Sequence, residues 1–593
     1  MQLQHQIKLA AFDALQKMYQ LQPEDISVTI NLTKSDFEGD YTIILFNLLK
    51  PTKEKPDILG HKLGSWLMEN YANLFSSYNL IKGFLNFTIQ DHWFTDFLAK
   101  NFDDTNYLNE PRNGKRVMVE YSSPNTNKPL HLGHLRNNFL GLSAAALLDA
   151  AGYDVVKTCI VNDRGIHICK SMLAWMLMGN NETPESSGMK GDHFVGKYYV
   201  LFNDIYKKEV AQLIADGHTK ETSEKEAPIL KAATQMLQDW EAGQPQIINL
   251  WKKMNEWVYE GFDITYKRIG SSFDKIYYES NTYLLGKEFV EAGLSQNIFY
   301  KKEDNSIWAD LSAEGLDEKI VQRRDGTSVY ITQDLGLVAD KYNEYHCDKS
   351  IYVIADEQNY HMKVLKALAT RLQLPKADGI YHLSYGMVEL PSGKMKSREG
   401  TVVDADDIVD EMIQIAATKT AALGKVNDFS SDELEKLYET IGLGALKFFL
   451  LRVDPKKRII FNPEESIDFH GYTGPFIQYT YARIKSILRK NDIETSIDFP
   501  QMNTLLPLEK KLLILLEAFP SVVSEAAVQY DPAAICMALF NLAQQFNSFY
   551  NELSVLHAET IASKNFRLQL ATLTAVVLKN GMQLLKIDMP ERM

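Results

Sequence analysis

The sequence predicts a multidomain α/β protein, with a nucleotide-binding parallel-sheet domain between an N-terminal α+β module and a C-terminal all-α helical bundle. Three observations carry this. Residues 117–121 alternate like a short strand, Ser122, Ser123, Pro124, Asn125 and Pro129 force a loop, and a helical pattern follows from Gly133, which is the first half of a βαβ unit. Two further runs, 154–161 and 349–355, are apolar enough for parallel strands buried on both faces. From about residue 405 the apolar side chains keep helical spacing nearly to the end.

Composition sets the outer limits. The 593 residues are 45% hydrophobic and 24% charged; such a chain is too long for one core, and roughly three to five domains are expected. No apolar run approaches the ~20 residues that cross a bilayer, so no membrane partner is expected. The N-terminus lacks the charged-then-apolar pattern of a signal peptide. Cys159, Cys169, Cys347 and Cys536 form no CxxC pair, which argues for reduced thiols and a cytoplasmic location. A formal net charge of −14 counts against indiscriminate coating of nucleic acid and leaves room for a local basic surface.

In chain order, residues 1–110 form the first module. Leu9, Phe12, Leu15, Met18 and Tyr19 give 7–21 helical spacing, 27–32 and 82–89 read as strands, and a helix starts near His92. Residues 111–115 are the linker, and the middle domain spans 111–405. Its chemical centre is the start of the helix after the loop, where backbone N–H groups and a positive dipole end face a ligand. Gly133 lets a nucleobase or ribose approach the backbone, and His131 and His134, one helical turn apart, can face the same ligand. A zinc site is disfavoured, since no cysteine or third histidine stands at ligand spacing, and no metal ligand is assigned. Alone, an HxGH stretch is as readily a pair of packed or surface histidines.

After the strand 154–161, residues 162–170 fall at a C-terminal strand edge, where ligands sit in such sheets. Residues 181–191 read as loop. Residues 192–265 read as a charged helical insertion with Trp240, Trp251 and Trp257 as packing anchors, and its sequence assigns it no chemistry. The second half resumes near Ile269: 273–279 precedes a helix from about Thr282, 329–334 runs into a helix through Lys341, and 356–361 follows the strand 349–355. Residues 381–390 are strand-like and lead into a loop, 391–401, whose Lys394, Lys396, Arg398, Ser392, Ser397 and Thr401 suit an anion, or simply a solvated turn. The bundle, 406–593, has helical runs at 444–452, 507–529, 532–556 and 565–587. There Arg452, Lys456, Arg458, Arg483, Arg489 and neighbouring lysines are interleaved with Phe461, Tyr472, Tyr479 and Tyr481, a mixture that suits unstacked RNA bases on a phosphate backbone.

The HLGH of 131–134 resembles the HIGH signature of class I aminoacyl-tRNA synthetases, and the longer stretch from Ser122 to Arg136 is similar to its form in arginyl-tRNA synthetases. The run Gly83 to Phe87 resembles their N-terminal domain, which touches the tRNA elbow, and 445–452 with the closing 579–593 resembles their anticodon-binding domain. The likeness therefore spans the chain. It implies a Rossmann-like class I synthetase catalytic domain that joins L-arginine to ATP as arginyl-adenylate and transfers arginine to the 3′-terminal adenosine of tRNA(Arg). It also implies that tRNA binds before activation, and that Mg2+ accompanies ATP. The absence of an evident extra dimerisation segment leans toward a monomer.

The implied chemistry is an in-line attack by the substrate's carboxylate on the α-phosphorus, so the protein supplies positioning and electrostatics rather than a nucleophile. His131, Gly133 and His134 match the family's first ATP-binding signature, and Lys394, Met395, Lys396, Ser397 and Arg398 stand where the second reads KMSKS. The second lysine of that signature is Ser397 here. Arginyl-tRNA synthetases commonly lose it, a lysine just before the first signature compensating, and Lys128 occupies that position. The departure leaves the separate roles of Lys396 and Arg398 open. For arginine, the resemblance implies that Glu279, Tyr330 and Asp334 hold the guanidinium, with Asn125 and Gln358 on the amino-acid end and Ser123 nearby; a planar five-donor cation needs such acceptors. For tRNA it points to Arg452, Lys456, Tyr479, Arg483 and Arg489. Two rivals are a class I synthetase for another amino acid, which would lack the Glu279, Tyr330 and Asp334 set, and a silent paralogue, against which the intact histidines and Lys394 count.

Overall fold

The structure, a computed structural model, describes residues 3–34, 36–389, 391, 403–422, 424, 428–490 and 504–593. The second signature, Lys394 to Arg398, lies outside the described residues. In the N-terminal module, β1 (Thr29–Leu32), β2 (Tyr41–Ile44), β3 (Phe75–Ile81) and β4 (Phe84–Ile89) form an antiparallel sheet in the order β1-β2-β4-β3. Helices Leu3–Tyr19, Pro56–Asn70 and Asp91–Asn101 accompany it. The expected strand 82–89 starts two residues late. Lys82 and Gly83, with φ of 49° and 85°, make the tight turn of a β3–β4 hairpin, because two consecutive positive φ values match the twist of the paired strands.

The central sheet is built from β5 (Arg116–Glu120), β6 (Asp154–Val161) and β7 (Lys275–Tyr278), with β11 (Lys349–Ala355) and β12 (Ile380–Tyr385) added after a small antiparallel sheet, β8 (Tyr300–Lys301), β9 (Ile307–Ala309) and β10 (Lys319–Gln322). All five strands are parallel, in the order β12-β11-β5-β6-β7. The strand order reverses between β5 and β11, so β5 sits at the switch point of a Rossmann-like sheet, and a cleft opens beyond its C-terminal end. The signature helix, Leu132–Ala150, follows β5 and is buried nearly all round. Gly141 allows its close approach to the sheet: a Cβ there would lie 2.3 Å from the Tyr121 ring.

Between β6 and β7 come the helix Ile166–Met178 and the inserted helices Gly191–Ala215, Lys220–Glu226, Pro228–Glu241 and Pro245–Ile269. Three expectations are corrected nearby. Residues 181–191 contain a short helix, Pro184–Ser187, whose start is capped by Thr183. The helix expected from Thr282 is a turn, Glu279–Thr282, then a break at Gly286 with φ of 86°, then a helix Lys287–Ser295. The strand-like run 381–390 is cut at Gly386, and β13 (Val388–Glu389) pairs instead with β14 (Ile459–Ile460), beyond the first bundle helices.

The bundle comprises Ala405–Ala422, Ser431–Leu451, Gly474–Leu488, Pro507–Gln529, Pro532–Glu552 and Ile561–Leu584. The last two stop short of the expected 556 and 587. Contrary to the sequence expectation, Pro507–Gln529 is long and apolar enough by length and composition to cross a bilayer. Its charges explain its place in a bundle: Glu509 is buried against Arg567, 2.8 Å away, and Glu517 accepts bonds from Tyr41 Oη (2.5 Å) and the Leu3 amide (2.6 Å). One contiguous apolar core runs through the N-terminal module, the signature helix and this bundle.

A buried ion pair ties the second half of the central sheet to the first. Lys341, on the helix Tyr330–Tyr345, meets Glu120 at the end of β5, with side chains 2% and 7% exposed. Removing one partner of such a pair strands a charge, and Lys341→Ala is expected to cost about 3–5 kcal/mol. Lys341→Met with Glu120→Leu should recover most of that loss; chemical denaturation of the three proteins checks it.

Candidate active site

The loop after β5 leaves the strand in left-handed backbone, Ser122 at φ 80° and Ser123 at φ 47°. Such non-glycine geometry survives only where neighbours fix it. Asn137 Oδ1 accepts from the Ser122 amide (2.5 Å), Asn138 donates to Ser122 Oγ (3.1 Å), and Tyr266 Oη shares a 2.7 Å bond with that hydroxyl. Asn125 is thereby exposed at the cleft, bridged to Asn162 at the end of β6.

His131 caps the signature helix. Its Nδ1 accepts from the Gly133 amide (3.2 Å), and His134 Nδ1 accepts from the His131 amide (3.1 Å), a reciprocal capping box. The rings lie 3.9 Å apart between centroids. Burial, then the neighbouring Lys128 charge, pushes His131 down to about 3. Burial, His131 and Lys128 push His134 well below its ordinary value. Both are therefore neutral near pH 7 with Nδ1 as acceptor, which places the ring protons on Nε2, two N–H donors directed away from the cap. Lys128 is half-buried, and that burial lowers its affinity for a proton.

The exit of the second-signature segment is tied to the same place. Leu132 N donates to Val403 O (3.3 Å) and Ala405 N to Leu130 O (3.0 Å). His193, Asp404 and Asp406 are near enough together to share an ion. Lys190 already pairs with Asp406, and His193 lies 3.0 Å from Asp404, its proton affinity raised to about 10 by bonds to Asp404 and Asp406. With Asp192 also 3.2 Å from Lys190, the cluster is an ion-paired clasp between the insertion and the segment after the second signature.

The other end of the cleft is acidic. Glu279 begins the turn after β7, and burial pushes its carboxyl up to about 7, Arg164 opposing the rise and Asp163 and Asp334 adding to it. Tyr330 opens the helix Tyr330–Tyr345 and is 71% exposed, and Asp334, one turn further on, sits 2.6 Å from His361 Nε2. Gln358 is exposed in the turn after β11, three residues before that histidine. Glu279, Asp334 and the β11 turn are thus gathered from three separate segments. Asp163, Arg164 and His361 were not singled out from sequence, although all three follow predicted buried strands at their C-terminal edges, which is the signal that finds them.

The five bundle candidates are more dispersed. Arg483 lies 5.1 and 5.7 Å from the rings of Tyr479 and Tyr550 and donates to Asn547 (2.8 Å). Arg489 donates to Glu591 O (2.8 Å), and Lys456 is exposed. Arg452 is turned inward, stacked 4.3 Å from Phe449 and bonded to Tyr472 O.

A parallel sheet with a capped HLGH helix at its switch point, and carboxylates gathered at the next strand ends, defines a class I aminoacyl-tRNA synthetase catalytic domain. The family described as "tRNA synthetases class I (R), catalytic domain" matches residues 98–462, and "DALR anticodon binding domain" matches 477–593. The chain is 50% identical over 592 residues to an arginine–tRNA ligase of Amoebophilus asiaticus, covering 99% of each, and 48% identical to one of Flavobacterium psychrophilum, covering all of both. In fold it is similar to the Thermus thermophilus arginyl-tRNA synthetase, with TM-score 0.81 and 24% identity, covering 99% of this chain and 100% of that one. It is likewise similar to the Plasmodium falciparum arginyl-tRNA synthetase, with TM-score 0.78, 18% identity and 99% of each chain covered. The chain belongs to the arginyl-tRNA synthetase family.

The electrostatics give a direct test. Isotope-edited NMR, with Glu279→Gln as the reference, should show one carboxyl titrating near 7 and no protonation of His131 or His134 between about pH 5 and 8. A histidine titrating near 6.5 in that loop would contradict the capped geometry.

Proposed function

We infer that this arginine–tRNA ligase seats the arginine guanidinium between Glu279 and Asp334 with Tyr330 over it, and the amino-acid end against Asn125, Gln358 and Ser123. The observation that carries this is the gathering of Glu279 and Asp334 on one acidic end of the cleft, where the Asp334 charge adds to the burial that raises Glu279, a cost that a bound cation relieves. ATP lies over Gly133, its phosphates accepting hydrogen bonds from the Nε2–H groups of His131 and His134 and meeting the charges of Lys128, Lys394, Lys396 and Arg398, with Met395 and Ser397 completing the second signature. Magnesium enters with ATP as part of the substrate, bound through phosphate oxygens and water. The carboxylate of arginine attacks the α-phosphorus, pyrophosphate departs toward the cations, and the adenylate passes arginine to the terminal adenosine of tRNA(Arg).

Residues 1–110 contact the tRNA elbow in this reading, 111–405 carry the chemistry, and 406–593 bind the anticodon. Tyr479, Arg483 and Tyr550 on one face, with Lys456 and Arg489, supply cations beside rings for unstacked bases; Arg452 acts there through the Tyr472 carbonyl it holds. The enzyme works as a cytoplasmic monomer. Pyrophosphate exchange with each amino acid, with and without total tRNA, tests the whole reading: exchange should require arginine and tRNA together.

Two variants sharpen it. Asp334→Asn should weaken arginine binding by about 2–5 kcal/mol, because the guanidinium loses a counter-charge, with little change in KM for ATP. Lys128→Ala should lower kcat by roughly 10²–10³ with smaller effects on KM, as for a donor used in the transition state. Near-native kinetics in either would move that role to another residue. As for pH, protonating Glu279 removes half of the acidic pair, so KM for arginine should rise as pH falls through about 7 while KM for ATP stays level.

A further inference from the structure

The structure assigns Asp163 as the positioning residue for arginine recognition: the helical insertion holds Asp163, Asp163 holds Glu279, and together they set the length of side chain the cleft accepts. This rests on the reading of Glu279 as a guanidinium ligand.

Asp163 is 1% exposed and follows β6 directly. Its carboxylate accepts three bonds: from the Ser280 amide (2.8 Å), from Ser280 Oγ (2.7 Å) and from Tyr259 Oη (2.9 Å). Every partner is a donor, so the site is built for an acceptor. Ser280 is the residue after Glu279, and the amide bond fixes the backbone that aims the Glu279 side chain. The Asp163 carbonyl is held as well, by Trp251 Nε1 (2.6 Å) and Asn255 Nδ2 (3.2 Å). Trp251, Asn255 and Tyr259 are spaced at i, i+4 and i+8 on the inserted helix Pro245–Ile269 and so form one face. The next residue, Arg164, is docked on the adjacent inserted helix, 5.2 Å from the Trp240 ring and 3.0 Å from Glu241, and covers Tyr283 at 4.1 Å.

The residue before Asp163 faces the other end of the substrate. Asn162 accepts from the Thr126 amide (3.2 Å), donates to Pro124 O (2.9 Å), and bridges to Asn125. Two consecutive residues, Asn162 and Asp163, therefore connect the group proposed for the amino-acid end, Asn125, with the group proposed for the guanidinium, Glu279. Their spacing is held by a face of the inserted helix Pro245–Ile269, which supplies none of the groups proposed to bind arginine. Loosening that face should blur the distance between the two ends rather than remove either.

The test is pyrophosphate exchange by the full chain with tRNA present, for Tyr259→Phe, Ser280→Ala, Asp163→Asn, Asp163→Ala and, as reference, Glu279→Gln. The amino acids are arginine and its analogues one methylene shorter and longer. Tyr259→Phe and Ser280→Ala should each raise KM for arginine about 5- to 20-fold, a fraction of the worth of one bond to a charged acceptor because the effect reaches arginine through Glu279, with KM for ATP unchanged. Both should narrow the preference for arginine over the two analogues. Asp163→Asn keeps a carbonyl acceptor for the Ser280 amide and should recover part of what Asp163→Ala loses; if the alanine variant does not fold, the two hydroxyl deletions decide. Arginine KM and analogue preference within about twofold of native in both deletions would overturn the inference, as would parallel rises in KM for arginine and ATP. If Glu279→Gln is also native toward arginine, the guanidinium site itself is wrong; if Glu279→Gln is impaired and the deletions are not, only the positioning role fails.

Discussion

The catalytic domain depends on one buried amide. Asn137, on the second turn of the signature helix, accepts from the Ser122 amide and donates to Val353 O (2.7 Å) and Tyr385 Oη (3.1 Å). It therefore joins the exit of β5 to β11 and β12, across the line where the sheet changes direction. Two consecutive left-handed serines cost of order 1–3 kcal/mol each, and this amide with Asn138 is what holds them. The loop could not otherwise turn Asn125 and Lys128 into the cleft while His131 caps the helix behind it.

From that anchor the two ends of the cleft acquire opposite chemistry by different means. The end proposed for phosphate holds neutral imidazoles and backbone N–H groups beside a half-buried lysine, donors that would need no solvent reorganisation as charge develops on a departing group. The end proposed for arginine is acidic, with Glu279 pushed up to about 7 by burial and Asp334 paired with His361. An anion and a cation are thus sorted before any contact specific to either is made.

Much of this was legible because it rests on contiguous pattern. The strands 154–161 and 349–355 and the helix 507–529 have the bounds their apolar runs imply, since burial on both faces leaves little choice of register. The capped histidines were visible as one loop-to-helix stretch. Elements of two to four residues, such as β8, β9 and β10, carry too few side chains to show a period, and the hairpin partner β3 has a mostly polar, half-exposed face. Gly286 and Gly386 broke expected elements through close backbone contacts, with Thr332 O and with Lys457, which no local window contains. In the site, Asp163 has the same character: its partners lie on an inserted helix and in the turn after β7, distant in sequence, and only the fold brings them together.

The signature helix has a reverse side. There Arg136, wholly buried, gives its guanidinium to the carbonyls of Gly386 and Pro455, Ser143 Oγ donates to Leu584 O (3.0 Å), and Lys447 Nζ donates to Lys586 O (2.6 Å) while facing Phe139 at 5.7 Å. The helix that caps the nucleotide loop is therefore also a core helix of the RNA-binding bundle. In terms of modularity, the two cannot be parted at residue 405. A fragment ending there would leave Arg136 without the Pro455 carbonyl, one of its two acceptors, and would bare an apolar helix face, so gene truncation, domain grafting and fragment complementation must all treat catalytic sheet and bundle as a single inherited unit.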